Sequence, residues 1–200
     1  GSASTLQQYA ETYSYDPNGN ILTLSRNGNN SANWQMDNFQ YHYVSGTNKL
    51  DHVSDLVPDG HYSNDIDNQT PANYDYDAIG NLIKDESEEI DQITWTVYGK
   101  IKSIIRDSTS SKPDLEFAYS PDGHRIMKKV STKGAGAQSV YTFYSHDAQG
   151  NQMAIYTYIG DSLVWESSPI YGSSRIGIYE AQKLLYIAGI EETDTLVPGF

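Results

Sequence analysis

The sequence predicts an all-β chain of antiparallel β-hairpin repeats that form a curved, strip-like sheet. Aromatic residues recur in pairs at i and i+2, a short turn ending in Gly follows those pairs, and an apolar residue restarts the chain after the turn. Strand side chains alternate, so residues i and i+2 share one face, whereas a helix would point them about 200° apart. Amphipathic helical periodicity is lacking except over residues 179–188, a short segment that is the one helix candidate.

The elements follow in order. Tyr13-Ser14-Tyr15-Asp16-Pro17-Asn18-Gly19-Asn20-Ile21-Leu22 is the first unit. A degenerate copy runs from Tyr41-His42-Tyr43 to Asn48-Lys49-Leu50. The third is Tyr74-Asp75-Tyr76-Asp77-Ala78-Ile79-Gly80-Asn81-Leu82-Ile83, and a second degenerate copy is Trp95-Thr96-Val97-Tyr98-Gly99-Lys100-Ile101. Two more follow, Phe117-Ala118-Tyr119-Ser120-Pro121-Asp122-Gly123-His124-Arg125-Ile126 and Phe143-Tyr144-Ser145-His146-Asp147-Ala148-Gln149-Gly150-Asn151. Their anchors lie roughly 20 to 35 residues apart, a spacing typical of repeat architectures.

In Asp-x-x-Gly the carboxylate can accept from the N–H two residues on, and Gly supplies the positive φ that closes a type I turn with a bulge. Asp16, Gly19, Asp77, Gly80, Asp122, Gly123, Asp147 and Gly150 are the expected turn residues. Tyr13, Tyr15, Tyr41, Tyr43, Tyr74, Tyr76, Phe117 and Tyr119 are the expected structural aromatics, with Tyr141/Phe143 and Tyr156/Tyr158 spaced alike. Ile21, Leu50, Leu82, Ile101 and Ile126 restart outgoing strands. Residues 27–33, 57–73, 107–114 and 131–139 read as loops, rich in Asn, Asp, Ser, Gly or Pro. The longest, 57–73, is of the length at which loops are often functional or disordered.

Composition bounds the function. The 200 residues carry 26 acidic against 13 basic side chains, a net charge of -13 that repels a phosphate backbone, so no nucleic-acid partner is expected. The absence of Cys excludes disulfides, thiolate metal sites and thiol catalysis. The best apolar run, 184–190, is broken by Gly189 and far too short to span a bilayer, so no membrane insertion is expected.

Each chemical reading meets a plainer one. The turn aspartates could ligate metal, but Gly follows them by one or three residues, whereas a calcium loop wants alternating oxygen ligands with Gly at the sixth position. Asp65-Ile66-Asp67-Asn68 in the long loop is the better calcium candidate, yet lacks a bidentate acid at the right distance, so no metal site is assigned. His42, His52, His61, His124 and His146 form no metal-ligand pair by spacing. Ser145-His146-Asp147 holds triad residue types, but strand neighbours point to opposite faces. Glu86, Glu88, Glu89 and Asp91 read as a solvated face rather than a glycosidase pair. Gly134-Ala135-Gly136 reads as a hairpin tip, not a phosphate loop, and the sequons at Asn29 and Asn68 as plain loop residues. Tyr rows can stack on sugars, but an aromatic pair recurring with every hairpin is cross-strand glue, about 0.2–1 kcal/mol per pair. No catalytic residue and no cofactor is assigned.

At these residues the chain resembles a known family. The repeated Tyr-Asp-x-x-Gly-Asn-Leu/Ile pattern is similar to the YD repeat of the RHS (rearrangement hotspot) proteins, which also occurs in TccC-type toxin components and in teneurins. Pro169-Ile170-Tyr171-Gly172-Ser173-Ser174-Arg175-Ile176-Gly177 resembles the segment that closes the repeats in the Bacteroidetes branch. The resemblance implies a β-strip over residues 13–180, part of a spiralling shell around a C-terminal toxin. Residues 1–12 then form a lead-in, with Gly1-Ser2-Ala3-Ser4 resembling an expression scar, and 181–200 lead toward a core that does not follow. The Asp-Pro-x-Gly-Leu self-cleavage motif of toxin members is lacking. The expectation is a non-enzymatic structural fragment, secreted or on a bacterial cell surface. Its partners are the rest of its parent chain and, edge to edge, further copies of itself. The alternative is an adhesion module for a surface glycan or protein.

Overall fold

The computed structural model describes residues 7–62 and 65–187. They fold into fourteen strands with no helix among them: β1 (Glu11–Tyr15), β2 (Ile21–Asn27), β3 (Gln35–Tyr43), β4 (Leu50–Asp55), β5 (Tyr74–Tyr76), β6 (Leu82–Asp85) and β7 (Ile90–Trp95) come first. β8 (Ile101–Arg106), β9 (Asp114–Tyr119), β10 (Arg125–Ser131), β11 (Ser139–His146), β12 (Gln152–Ile159), β13 (Ser162–Tyr171) and β14 (Arg175–Ile187) complete the series. They pair antiparallel in chain order in two sheets, β1 to β4 and β5 to β14, and neither closes into a barrel. The all-β, hairpin-repeat expectation therefore holds. Residues 1–6 of the expected lead-in and 188–200 of the expected C-terminal segment lie outside the described residues.

Every expected restart begins an outgoing strand, except that β10 starts one residue before Ile126. The four expected loops fall between strands, trimmed by a residue or two at their ends. The helix candidate 179–188 is overturned, because its residues up to Ile187 continue β14. β13 supplies a ladder for this segment, with Tyr179 opposite Ser168 and Leu184 opposite Val164. Ten residues of helix would be marginal alone, and the paired strand satisfies the same backbone groups at once.

The chain divides into two compact units, one ending at Asp91 and one starting at Gln92. In the first, the register sets Leu24 opposite Phe39 and Tyr41 opposite Val53. Leu24, Phe39 and Val53 are buried together, with Tyr41 and Leu50 packed on them. The long loop is pinned by polar side chains. Gln69 Oε1 accepts from Val53 N–H at 2.9 Å, and Gln69 N–H donates to Val53 O at 3.0 Å, so Gln69 docks on β4 as a strand residue would. Asn73, fully buried, accepts from the N–H and hydroxyl of Ser87 and donates to Asp85 Oδ1. Buried amides hydrogen-bonded on both sides fix a loop that has few apolar side chains to bury.

The second unit buries little. Among its described residues Ile93, Ala154 and Pro169 are the buried apolar side chains. Ile176, Ile178, Tyr179, Leu184 and Tyr186 of the terminal strand β14 are half exposed or more. A sheet is stable when its apolar face meets a second layer. Among the described residues, this unit instead leaves apolar surface exposed and β14 without an outer neighbouring strand.

Candidate functional site

The site recurs with the hairpin. At the first turn Asp16 Oδ1 accepts from the N–H groups of Asn18 (2.9 Å) and Asn20 (2.8 Å), while Oδ2 accepts from the Asn20 side-chain amide (2.8 Å). Asp77 is clamped the same way by Ile79 and Asn81, and Asp147 by Gln149 and Asn151. Gly19, Gly80, Gly123 and Gly150 have φ of +87°, +96°, +87° and +86°, the left-handed conformation in which a side chain is strained. The pairing shifts register beside the turns, as a bulge requires. Asp122 is placed differently: it sits two residues into its turn and accepts from the Ser120 hydroxyl.

These bonds hold the turn carboxyls below the ordinary Asp range. For Asp16 and Asp147 the side-chain amide of the following Asn is the largest cause. For Asp77, desolvation is the largest influence and acts upward, but the Asn81, Ile79 and Gly80 bonds together outweigh it.

The aromatics divide into two roles. At four turns a Tyr next to the turn, the second member of a pair at Tyr43, Tyr76 and Tyr119, reaches back to the preceding hairpin. Tyr43 donates to Ile21 O at 2.8 Å, Tyr76 to Leu50 O at 2.9 Å, Tyr119 to Ile101 O at 2.9 Å and Tyr171 to Gln152 O at 3.0 Å. Each acceptor is the first residue of the outgoing strand one hairpin earlier. Burial pushes the Tyr43 and Tyr76 hydroxyls up, which keeps them protonated as donors. The first members lie deeper in the strand, where Tyr141 stacks on Phe143 at 6.2 Å and Tyr41 meets Phe39 edge-on at 6.1 Å. Tyr13 and Tyr15 also stack at 6.2 Å, but both are about half exposed. Tyr74 accepts from the Gln69 amide at 2.9 Å, and Phe117 lies under the Arg125 guanidinium at 4.7 Å.

The residue before each restart completes the pattern. Where the turn opens on Asp, that residue is Asn and clamps it. Where the turn opens on Val44 or Thr96, it is Lys: Lys49 lies over the Tyr76 ring at 5.6 Å and Lys100 over Tyr119 at 5.4 Å. Sequence reasoning missed these lysines, although the Asp/Asn spacing of four, absent from the Lys turns, was visible. His124 takes the same position and packs on His146, ring centres 5.1 Å apart.

Register brings together residues that spacing left scattered. His42 and His52 lie directly opposite each other and stack at 4.2 Å. Their nitrogens are engaged by Ser54 (3.0 Å) and Asp51 (2.7 Å), which accounts for two of the five histidines structurally. Glu86, Glu88 and Glu89 lie in the β6–β7 turn and Asp91 on β7, with Glu86 paired to Lys84. Ser145, His146 and Asp147 lie at the end of β11, and Asp147 is held in its turn clamp.

Two further features stand apart. A groove of about 700 Å³ runs beside β8 and β9, lined by Val97, Lys102, Phe117, Tyr119 and Pro121. On the first unit, one carboxylate oxygen from each of Asp37, Asp55 and Asp65 lies within 4.8 Å of the others. Asp37 is fully buried on β3 and receives Arg26 Nε at 2.5 Å from the neighbouring strand. Burial pushes the Asp37 carboxyl up, and Arg26 only partly counters it. Asp65 is the loop residue singled out from sequence, whereas Asp37 and Asp55 carried no local signal.

No protein-family model matches the chain, and no curated protein matches it. Among solved structures, "Crystal Structure of TcdB2-TccC3" aligns over 86% of this chain at 13% identity with a TM-score of 0.28. The chain covers 14% of that chain's length.

Proposed function

We propose that the chain is a non-enzymatic wall segment of an RHS/YD-repeat shell, in a secreted or surface-borne bacterial polypeptide that encloses or presents a C-terminal toxin or effector. The observation that carries this reading is the repeated tyrosine latch, in which Tyr43, Tyr76, Tyr119 and Tyr171 each tie one hairpin to the one before. Such a bond serves the continuity of a strip and has no part in bond-making chemistry. The open apolar surface of β14 suits a wall that continues into further chain. The test is protease protection in the full natural polypeptide. The segment after the repeats should resist cleavage, and combined Tyr43→Phe, Tyr76→Phe and Tyr119→Phe changes should expose it. Equal cleavage with and without the latches would overturn the reading.

The groove beside β8 and β9 favours a second reading, an adhesion surface for a glycan or protein, because aromatic side chains, Phe117 and Tyr119, and a cation, Lys102, line it together. Saturable binding on a glycan array, lost with Phe117→Ala, would promote it over the shell.

A further inference from the structure

We propose that Asp37, Asp55 and Asp65 form a divalent-cation site suited to calcium, which ties the long 57–73 loop to the first sheet. Such a site does not depend on the shell reading. Three carboxylates converge, one from β3, one from the end of β4 and one from the loop, with oxygens within 4.8 Å of each other. Two oxygens bound to one calcium ion at about 2.3–2.6 Å can be at most about twice that far apart, so the spacing fits a single ion. Magnesium, at about 2.0–2.1 Å, demands a tighter set.

The second observation is Asp37 itself. Its side chain is fully buried, Oδ2 receives Arg26, and Oδ1 has no hydrogen-bond partner among the described residues. A buried carboxylate oxygen without a donor carries a full desolvation penalty, and a cation removes it. Arg26 supplies one positive charge against three carboxylates, and a divalent ion balances the remaining two. Asp55 is oriented by the backbone, since its Oδ1 accepts from Asn38 N–H at 2.9 Å and Val57 N–H at 3.0 Å, which fixes the carboxylate while Oδ2 keeps its lone pairs. All donors are hard oxygens, the set that selects calcium over transition metals.

Calorimetric titration of the chelator-treated chain with calcium chloride tests this, with magnesium chloride in parallel. The expected result is one saturable calcium site, bound more weakly by magnesium. Asp55→Asn and Asp65→Asn should each weaken it by on the order of tenfold or more, since affinity follows ligand charge. Asp91→Asn, an acidic change elsewhere, should leave it intact. Calcium should raise the thermal midpoint of the wild type. Asp65→Asn sits in a loop, and by relieving like-charge repulsion it should raise the metal-free midpoint while shrinking the calcium-induced rise at a fixed calcium concentration. No saturable heat, or binding unchanged by Asp55→Asn and Asp65→Asn, or binding lost equally on Asp91→Asn, would overturn the site.

Discussion

Tyr76 shows how one side chain serves two hairpins. Its ring receives Lys49 at 5.6 Å, and its hydroxyl donates to Leu50 O, one hairpin back. Tyr76→Phe keeps the ring and deletes only the donor, so it should lower stability by about 1 kcal/mol, the net value of one such bond, in a urea unfolding series. An unchanged midpoint would mean that the latch adds nothing beyond ring packing. The acidic residues act in opposite directions with pH. Asp16, Asp77 and Asp147 have depressed pKa values, so their clamps contribute stability above about pH 3.9, the unfolded Asp value, and lose it as pH falls through the lower folded values. Asp37 has a raised value, so its contribution is fully present below about pH 3.9 and is lost as pH rises through its folded value. Replacing the three turn aspartates by Asn should flatten the acid limb of a stability-pH profile. An Asp37→Asn change should leave that limb in place.

Hairpins are the elements through which these residues act, and the turn glycines separate backbone strain from crowding. A Cβ at Gly80 would meet nothing within 4 Å, so Gly80→Ala costs only the left-handed φ, about 1–2 kcal/mol. A Cβ at Gly150 would lie 2.4 Å from the His124 ring, so Gly150→Ala should cost more and disturb the His124–His146 packing, visible as shifted imidazole resonances. Turns, restarts and loops were legible in sequence because each is encoded within ten residues by aromatic pairs, Asp-x-x-Gly and an apolar restart. Cross-strand partners were not. Arg26 meets Asp37, and His42 meets His52, only after the bulges have set the register, and no local pattern announces that register. The helical reading of 179–188 failed for the same reason, since the partner strand of β14 decides its conformation. Gln69 looked like ordinary loop sequence, yet its amide replaces a ladder residue beside Val53. The edge strand also carries a liability. Ile176, Ile178 and Leu184 are exposed on β14, which has no outer neighbour among the described strands, so the chain should associate with rising concentration in analytical ultracentrifugation. Ile178→Lys with Leu184→Lys should reduce that association, and a strictly monomeric wild type would argue against it.

At the scale of the molecule, the organisation is one of neighbours. Hairpins pair in chain order and latch one step back, so stability is close to a sum of local units and their interfaces, as in other repeat proteins. With few buried apolar side chains in the second unit, those interfaces matter more than a central core. The formal net charge of -13 raises the repulsion between copies of the chain and between the chain and polyanions. The proposed role is that of a wall whose repeats are joined by tyrosine hydroxyls. Cryo-electron microscopy of the full natural polypeptide tests it most directly. The expected map shows these strands in the wall of a hollow shell with density enclosed, and the hydroxyls of Tyr43, Tyr76, Tyr119 and Tyr171 on the carbonyls of Ile21, Leu50, Ile101 and Gln152. An extended, open particle with these strands displayed to solvent and nothing enclosed would contradict it.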